Sequence, residues 1–266
     1  MHPLRQKPAR TAAVAAGIAA ALALAAAPNA AGAASTTTTT SAGSSAATAK
    51  YNAALKAVGT KGVHFSSLAK QSGATLTVTG DAGSTSGAQT LVVKNKGVTE
   101  RMSTRVVGST GYVNGNDAAL QDVIGLTKAE SAKYAGKWLS FPTSNAQLAE
   151  LVGGLLSSQV AKELEVVGPY TFGKSATVAG QKATAILGSV ATENGSKVPV
   201  MVYVAASGSP LPIQEVTNAG NTGGASAIRG VVTFSDWGED KGQSAPTGAF
   251  SLLKLVPASS SSGTAG

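Results

Sequence analysis

Apolar residues along this chain change their spacing several times, and each change marks a stretch of structure. Tyr51, Leu55 and Val58 stand at i, i+4 and i+7 with Gly59 after them, the pattern of a short amphipathic helix. Alternation then takes over. Val63-His64-Phe65 opens a strand, and Thr75-Leu76-Thr77-Val78-Thr79 alternates cleanly up to Gly80-Asp81. Leu91 and Val93 follow within Gln89 to Lys94. Val98, Met102 and Val106 then share one face of Val98 to Val107, with Arg101, Ser103 and Arg105 on the other. Tyr112-Val113-Asn114 is a short fifth strand, and the Gly, Asn and Asp residues between these runs predict an antiparallel meander.

Helical spacing returns at Asn116. Asp117 is placed to cap a helix carrying Leu120, Val123 and Ile124, and Gly125 ends it. Thr127-x-x-Glu130 and Ser144-x-x-Gln147 have the form of capping boxes. The second opens the longest predicted helix, whose apolar stripe is Leu148, Leu151, Val152, Leu155, Leu156 and Val160. Gly153-Gly154 interrupts it at a cost of about 1 kcal/mol per glycine relative to alanine, which predicts a bend or a close approach by another segment. Alternation resumes over Gln181 to Ala191 and Lys197 to Ala205, around the Asn194-Gly195 hairpin signal. Leu211 to Thr217 and Ala225 to Trp237 continue it, and Phe250 to Val256 can add an edge. Helix, about five strands, helical insert and about five more strands predict an α+β fold, one large antiparallel sheet with helices against one face.

The two ends read differently. Arg5, Lys7 and Arg10 precede a small apolar run from Ala12 to Ala27, and Ala31-Gly32-Ala33 has the A-x-A form of a signal-peptidase site. Residues 1–33 are therefore read as an export signal, not as a membrane span, which needs roughly 20 strongly apolar residues. The Ser/Thr/Ala/Gly tract 34–49 has no large apolar side chain to offset the ordering of its backbone and is read as a disordered linker. Residues 258–266 are read as a tail of the same kind, leaving 50–257 as one domain.

Charge changes the picture little. The net charge of +8 falls to +5 once the three cations of the leader are removed. The remaining lysines and arginines are spread thinly, unlike the massed basic face of a nucleic-acid binder, and leave only a weak attraction to an anionic envelope surface. The chain has no cysteine, which excludes disulfides, thiolate metal sites and a lipidated cysteine. His64 is the one histidine beyond the leader, too few for a histidine metal centre, and it is read as a strand-surface residue. No cofactor is implied.

Several segments together carry a resemblance. They are Gly111-Tyr112-Val113-Asn114-Gly115, Ala132-x-Tyr134-Ala135-Gly136-Lys137-Trp138-Leu139, the stripe after Ser144, and Ala179-Gly180-Gln181-Lys182-Ala183-Thr184. Tyr203-Val204-Ala205 with Pro210-Leu211-Pro212, and Phe234-Ser235-Asp236-Trp237-Gly238, complete the set. In this order the chain resembles the actinobacterial LppX/LprG-type exported lipoproteins, whose fold is similar to the LolA lipoprotein carrier. The likeness runs over residues 46–256 and rests on loose motifs, none of them catalytic. It implies a half-open antiparallel barrel curled around helices, enclosing an apolar cavity for acyl chains. Members usually carry a lipobox cysteine, and this chain has none, so the resemblance implies a domain released rather than tethered.

On that expectation Val152, Leu155 and Leu156 line the cavity, with Ile124 and Met102 opposite. The same residues serve equally as ordinary core, a helix stripe packed on its sheet. Val198, Val200, Val202 and Val204 share one face while Met201 and Tyr203 take the other, which fits either a strand beside a cavity or one covered on both sides. Catalytic patterns are weak. Ser67-Leu68-Ala69-Lys70 and Ser251-Leu252-Leu253-Lys254 have S-x-x-K spacing but fall on or beside strands, without S-D-N or K-T-G partners. Glu163 and Glu165 fall at a helix end, and Glu239-Asp240 in a solvated turn. The sequence thus reads as a non-enzymatic, monomeric, exported binding protein for a lipid or other acyl-bearing molecule. The alternative is an envelope structural or interaction protein with the same fold and a filled interior.

Overall fold

The computed structural model describes residues 41–71, 73–191, 197–217 and 229–255. The leader 1–33, residues 34–40, the Asn194-Gly195 turn, residues 225–228 and the tail 258–266 lie outside the described residues. One sheet of thirteen strands dominates. Its first half is β1 (Val63–Gln71), β2 (Ala74–Ala82), β3 (Ser86–Asn95), β4 (Val98–Val107) and β5 (Thr110–Gly115). After the helical insert, which contains β6 (Leu139–Pro142), come β7 (Val167–Phe172), β8 (Ala176–Val178), β9 (Gln181–Ala191) and β10 (Lys197–Ala205). β11 (Pro212–Thr217), β12 (Arg229–Ser235) and β13 (Phe250–Ser251) complete it.

The order across the sheet is β13-β6-β5-β4-β3-β2-β1-β12-β11-β10-β9-β7, with β8 also on β9. The two halves meet where β1 pairs with β12, Phe65 opposite Phe234 and Ser67 opposite Val232. Among the described residues every strand-to-strand pairing is antiparallel except the short parallel one between β6 and β13. The sheet stays open, with its helices on one face, the α+β arrangement that the alternation predicts.

Alternation decides the inner face. Leu76 and Val78, Leu91, Met102 and Val106, Val113, and Leu139 with Phe141 are buried there, strand after strand. Phe65, Ala69, Val232 and Phe234 continue the row into the second half, and Ile186, Val200, Val202 and Val204 finish it. Each such side chain contributes roughly 1.5–3 kcal/mol when fully buried, so this face holds the fold together. Val98 shares its parity but stands exposed at the strand's end.

The first helix corrects the linker boundary. α1 spans Ser41–Val58 and buries Ala47, Tyr51, Ala54 and Val58, so residues 41–49 belong to it. Alanine is the best helix former and packs closely against a neighbour, which a search for large apolar side chains overlooks. In the insert, α2 (Asp117–Asp122) is capped by Asn116, whose side chain accepts from the Ala119 N–H, and not by Asp117. Asp117 instead accepts from the Ser131 hydroxyl on α3 (Lys128–Tyr134). The Thr127–Glu130 capping box that opens α3 is present in both directions.

The long helix predicted after Ser144 is replaced by shorter pieces. Asn145, not Ser144, caps α4 (Ala146–Ala149), a 3-10 turn covers Glu150–Val152, and α5 spans Ser157–Glu163. Between them Gly154 takes φ +73, a left-handed conformation that glycine adopts without strain. The cause is a close approach. Gly83 donates its N–H to the Leu155 carbonyl at 3.3 Å, and its own carbonyl accepts from the Ser157 N–H at 2.8 Å.

Candidate functional site on the inner face

All five residues expected to line a cavity come together on the inner face. Met102, Val152 and Leu155 are buried in one continuous core, and Ile124 and Leu156 pack against it half-buried. They meet as packed side chains: Val152, Leu155 and Leu156 arrive on the interrupted cover from Ala146 to Glu163, and Met102 rises from β4. Gly87 makes room for this cover, since a Cβ there would stand 2.0 Å from the Leu155 carbonyl oxygen.

Polar atoms interrupt the apolar face in two places. On β3 and β4, Gln89 stands opposite Thr104, and neither its side-chain amide nor the Thr104 hydroxyl has a partner. On the other half, Ser67, Glu215 and Thr217 are all buried. Ser67 Oγ, Glu215 Oε1 and Thr217 Oγ1 likewise have no hydrogen-bond partner among the described residues. Register places them together: Glu215 and Ser67 flank Val232 on β12, and Thr217 stands opposite Gly230. Burial is the main cause that pushes the Glu215 carboxyl up to about 8, and the Glu163 carboxyl adds to it. Glu163, at the end of α5, is itself raised, mainly by burial.

Tyr51 closes this end of the face from α1. Its hydroxyl donates to the Leu164 carbonyl and accepts from the Val166 N–H at 2.9 Å, and its ring lies 4.8 Å from that of Tyr170. Burial drives the Tyr51 hydroxyl pKa upward, so it remains a neutral donor. Sequence reasoning missed Glu215. Gln214 and Glu215 are both polar, and only the pairing of Glu215 with Val202 and Val232 turns it inward while Gln214 faces Thr233 on the other side.

The outer face carries the other polar groups noted in the sequence. His64 lies on the strand surface, its Nδ1 2.8 Å from Asp81, which also pairs with Lys241 at 3.4 Å. A cleft of about 220 Å³ lies over β2 to β4, lined by Thr79, Asp81, Thr90, Ser103, Arg105 and Trp138. Arg105 sits 5.0 Å above the Trp138 ring and donates to the Ser244 carbonyl. In Ser67-x-x-Lys70 the serine is buried on the inner face and the lysine exposed on the outer one, so the spacing brings no amine to the hydroxyl. Trp237 is a rim aromatic, its indole N–H donating to the Pro212 carbonyl at 2.8 Å beside Phe234.

No protein-family model and no curated protein sequence matches the chain. Among solved structures it is similar to the lipoprotein LppX of Mycobacterium tuberculosis, at 18% identity over 74% of this chain and 98% of that one, with a TM-score of 0.45. It is also similar to LprF of Mycobacterium bovis, at 13% identity over 77% of this chain and 98% of that one, TM-score 0.47. A LolA superfamily protein of Nitrosomonas europaea matches at 9% identity over 75% and 94%, TM-score 0.25. At these identities and scores none of them assigns the chain to a family or gives it a ligand.

Proposed function

We propose that this protein is an exported, non-enzymatic carrier that holds a lipid or other acyl-bearing molecule between the inner face of its sheet and the cover of residues 146–163. The observation that carries the proposal is the character of that cover. A permanent lid over an apolar sheet is best made of regular helix, which satisfies its own backbone. Here Leu151 and Val152 stand on a single 3-10 turn and Leu155 and Leu156 on the extended link that follows it, with two backbone hydrogen bonds to Gly83. Lifting such a segment exposes a broad apolar surface at the cost of few backbone contacts. Met102, Ile124, Val152, Leu155 and Leu156 then become the walls against which an acyl chain lies, and apolar burial supplies the affinity. On this reading the leader 1–33 directs the chain out of the cytoplasm. The chain's mild positive charge favours loose contact with anionic envelope surfaces.

Purification from the native host, followed by organic extraction and mass spectrometry, tests the reading. Stoichiometric recovery of an acyl-bearing molecule supports it, and protein that comes out repeatedly lipid-free and takes up no apolar probe overturns it. One observation favours the second reading, an envelope structural or interaction protein: the five wall residues all belong to, or pack against, one apolar core. That reading expects no probe uptake and a protein partner recovered by crosslinking.

A further inference from the structure

The buried polar atoms on the second half of the inner face have a definite geometry. Ser67 and Glu215 stand two strand spacings apart, about 10 Å, with Val232 between them. Thr217 lies two residues along β11 from Glu215, about 7 Å away on the same face, with Val200 beside it on β10 and the small Gly230 and Ala69 next to it on β12 and β1. Small residues leave the floor of this patch low. A buried polar atom without a partner is costly, and three on one face mark a place built for a polar group that the described residues do not supply.

The chemistry of the three atoms limits that group. Two hydroxyls both donate and accept, and a neutral carboxyl does the same, so the best partner also does both. An anionic end group is disfavoured, because the Glu163 carboxyl already acts electrostatically on Glu215 there, and Tyr51, which also interacts with Glu215, is neutral. We infer that Ser67, Glu215 and Thr217 seat the uncharged, hydroxyl-bearing end of an acyl ligand, an inference that rests on the carrier function proposed above. Such a ligand is of the monoacylglycerol or long-chain alcohol class, its chain running along the apolar face toward Val78 and Leu91.

Displacement of the fluorescent hydrocarbon probe N-phenyl-1-naphthylamine from the full mature chain provides the test. Glycerol monooleate is expected to displace it at lower concentration than oleate does. Glu215→Leu and Thr217→Val should each weaken displacement by glycerol monooleate about five- to tenfold; Thr217→Val leaves oleate displacement unchanged, and Glu215→Leu, which removes an acidic side chain, does not weaken it. Thr217→Val keeps the side-chain shape and carries the test should Glu215→Leu fold poorly. Equal displacement of the probe from wild type and variants by glycerol monooleate overturns this assignment alone, and leaves the three polar atoms to structural water. Failure of the wild type to bind the probe at all overturns the carrier function as well, so the two failures are distinct.

Discussion

Glu215 shows how one residue can govern the pH response of the whole domain. Its folded pKa of about 8 stands above the ordinary 4.5, so between these values the folded chain keeps a proton that the unfolded chain has lost. The stabilisation from the neutral carboxyl is therefore full below about 4.5, declines as pH rises and is gone by about 8. Within that window the slope from this group approaches about 1.4 kcal/mol per pH unit. Denaturant unfolding from pH 5 to pH 8.5 should show the decline in the wild type, with a much flatter profile in Glu215→Gln. Parallel profiles would mean that Glu215 is not held neutral. Tyr51 is the second decisive residue, because its hydroxyl serves both the Leu164 carbonyl and the buried Val166 N–H. Tyr51→Phe leaves both without that partner, with an expected loss of about 1–3 kcal/mol in chemical denaturation. Neither role was legible in the sequence, where Tyr51 reads only as the first apolar position of a helix and Glu215 as one of two adjacent polar residues.

At the level of elements, the strands follow their alternation closely and the cover does not follow its helical stripe. Helical periodicity from Leu148 to Val160 is real as a pattern, yet the chain gives up helix at Gly153-Gly154 to bond its backbone to Gly83. The two glycines were the visible signal; their partner, at the tip of the β2–β3 hairpin, was not. Gly87 completes the device, since a Cβ there would press on the Leu155 carbonyl at 2.0 Å and on the Asp81 carbonyl at 2.8 Å. Gly87→Ala should therefore push the cover outward and loosen the neighbouring end of β2 at Asp81. Hydrogen exchange by mass spectrometry is expected to show faster exchange over residues 150–160 and at the Asp81 end of β2, with β4 and β5 unchanged, and uniform protection would show that the approach tolerates a methyl group. If the carrier function holds, the same variant should take up an apolar probe faster than the wild type, as a loosened lid does.

For the whole molecule, the open sheet raises the question of its edges. β13 is two residues long, and β7 contains Pro169 and a register shift between Val167 and Thr171. Short or interrupted edges discourage pairing between copies, so light scattering on the mature chain should read a monomer; a dimer would show that an edge is used. Sequence alone determined the order of elements and the inward face of most strands, because alternation is a property of neighbours along the chain. The capping box at Thr127 was equally plain, its partners lying three residues apart. Tertiary structure alone decided that residues 41–49 are helical, with Ala47 buried, and that the stripe after Ser144 becomes a broken cover. It alone turned Glu215 inward beside Ser67 and Thr217. Those outcomes depend on which distant strands pair and what lies above them, and residue spacing carries no record of either.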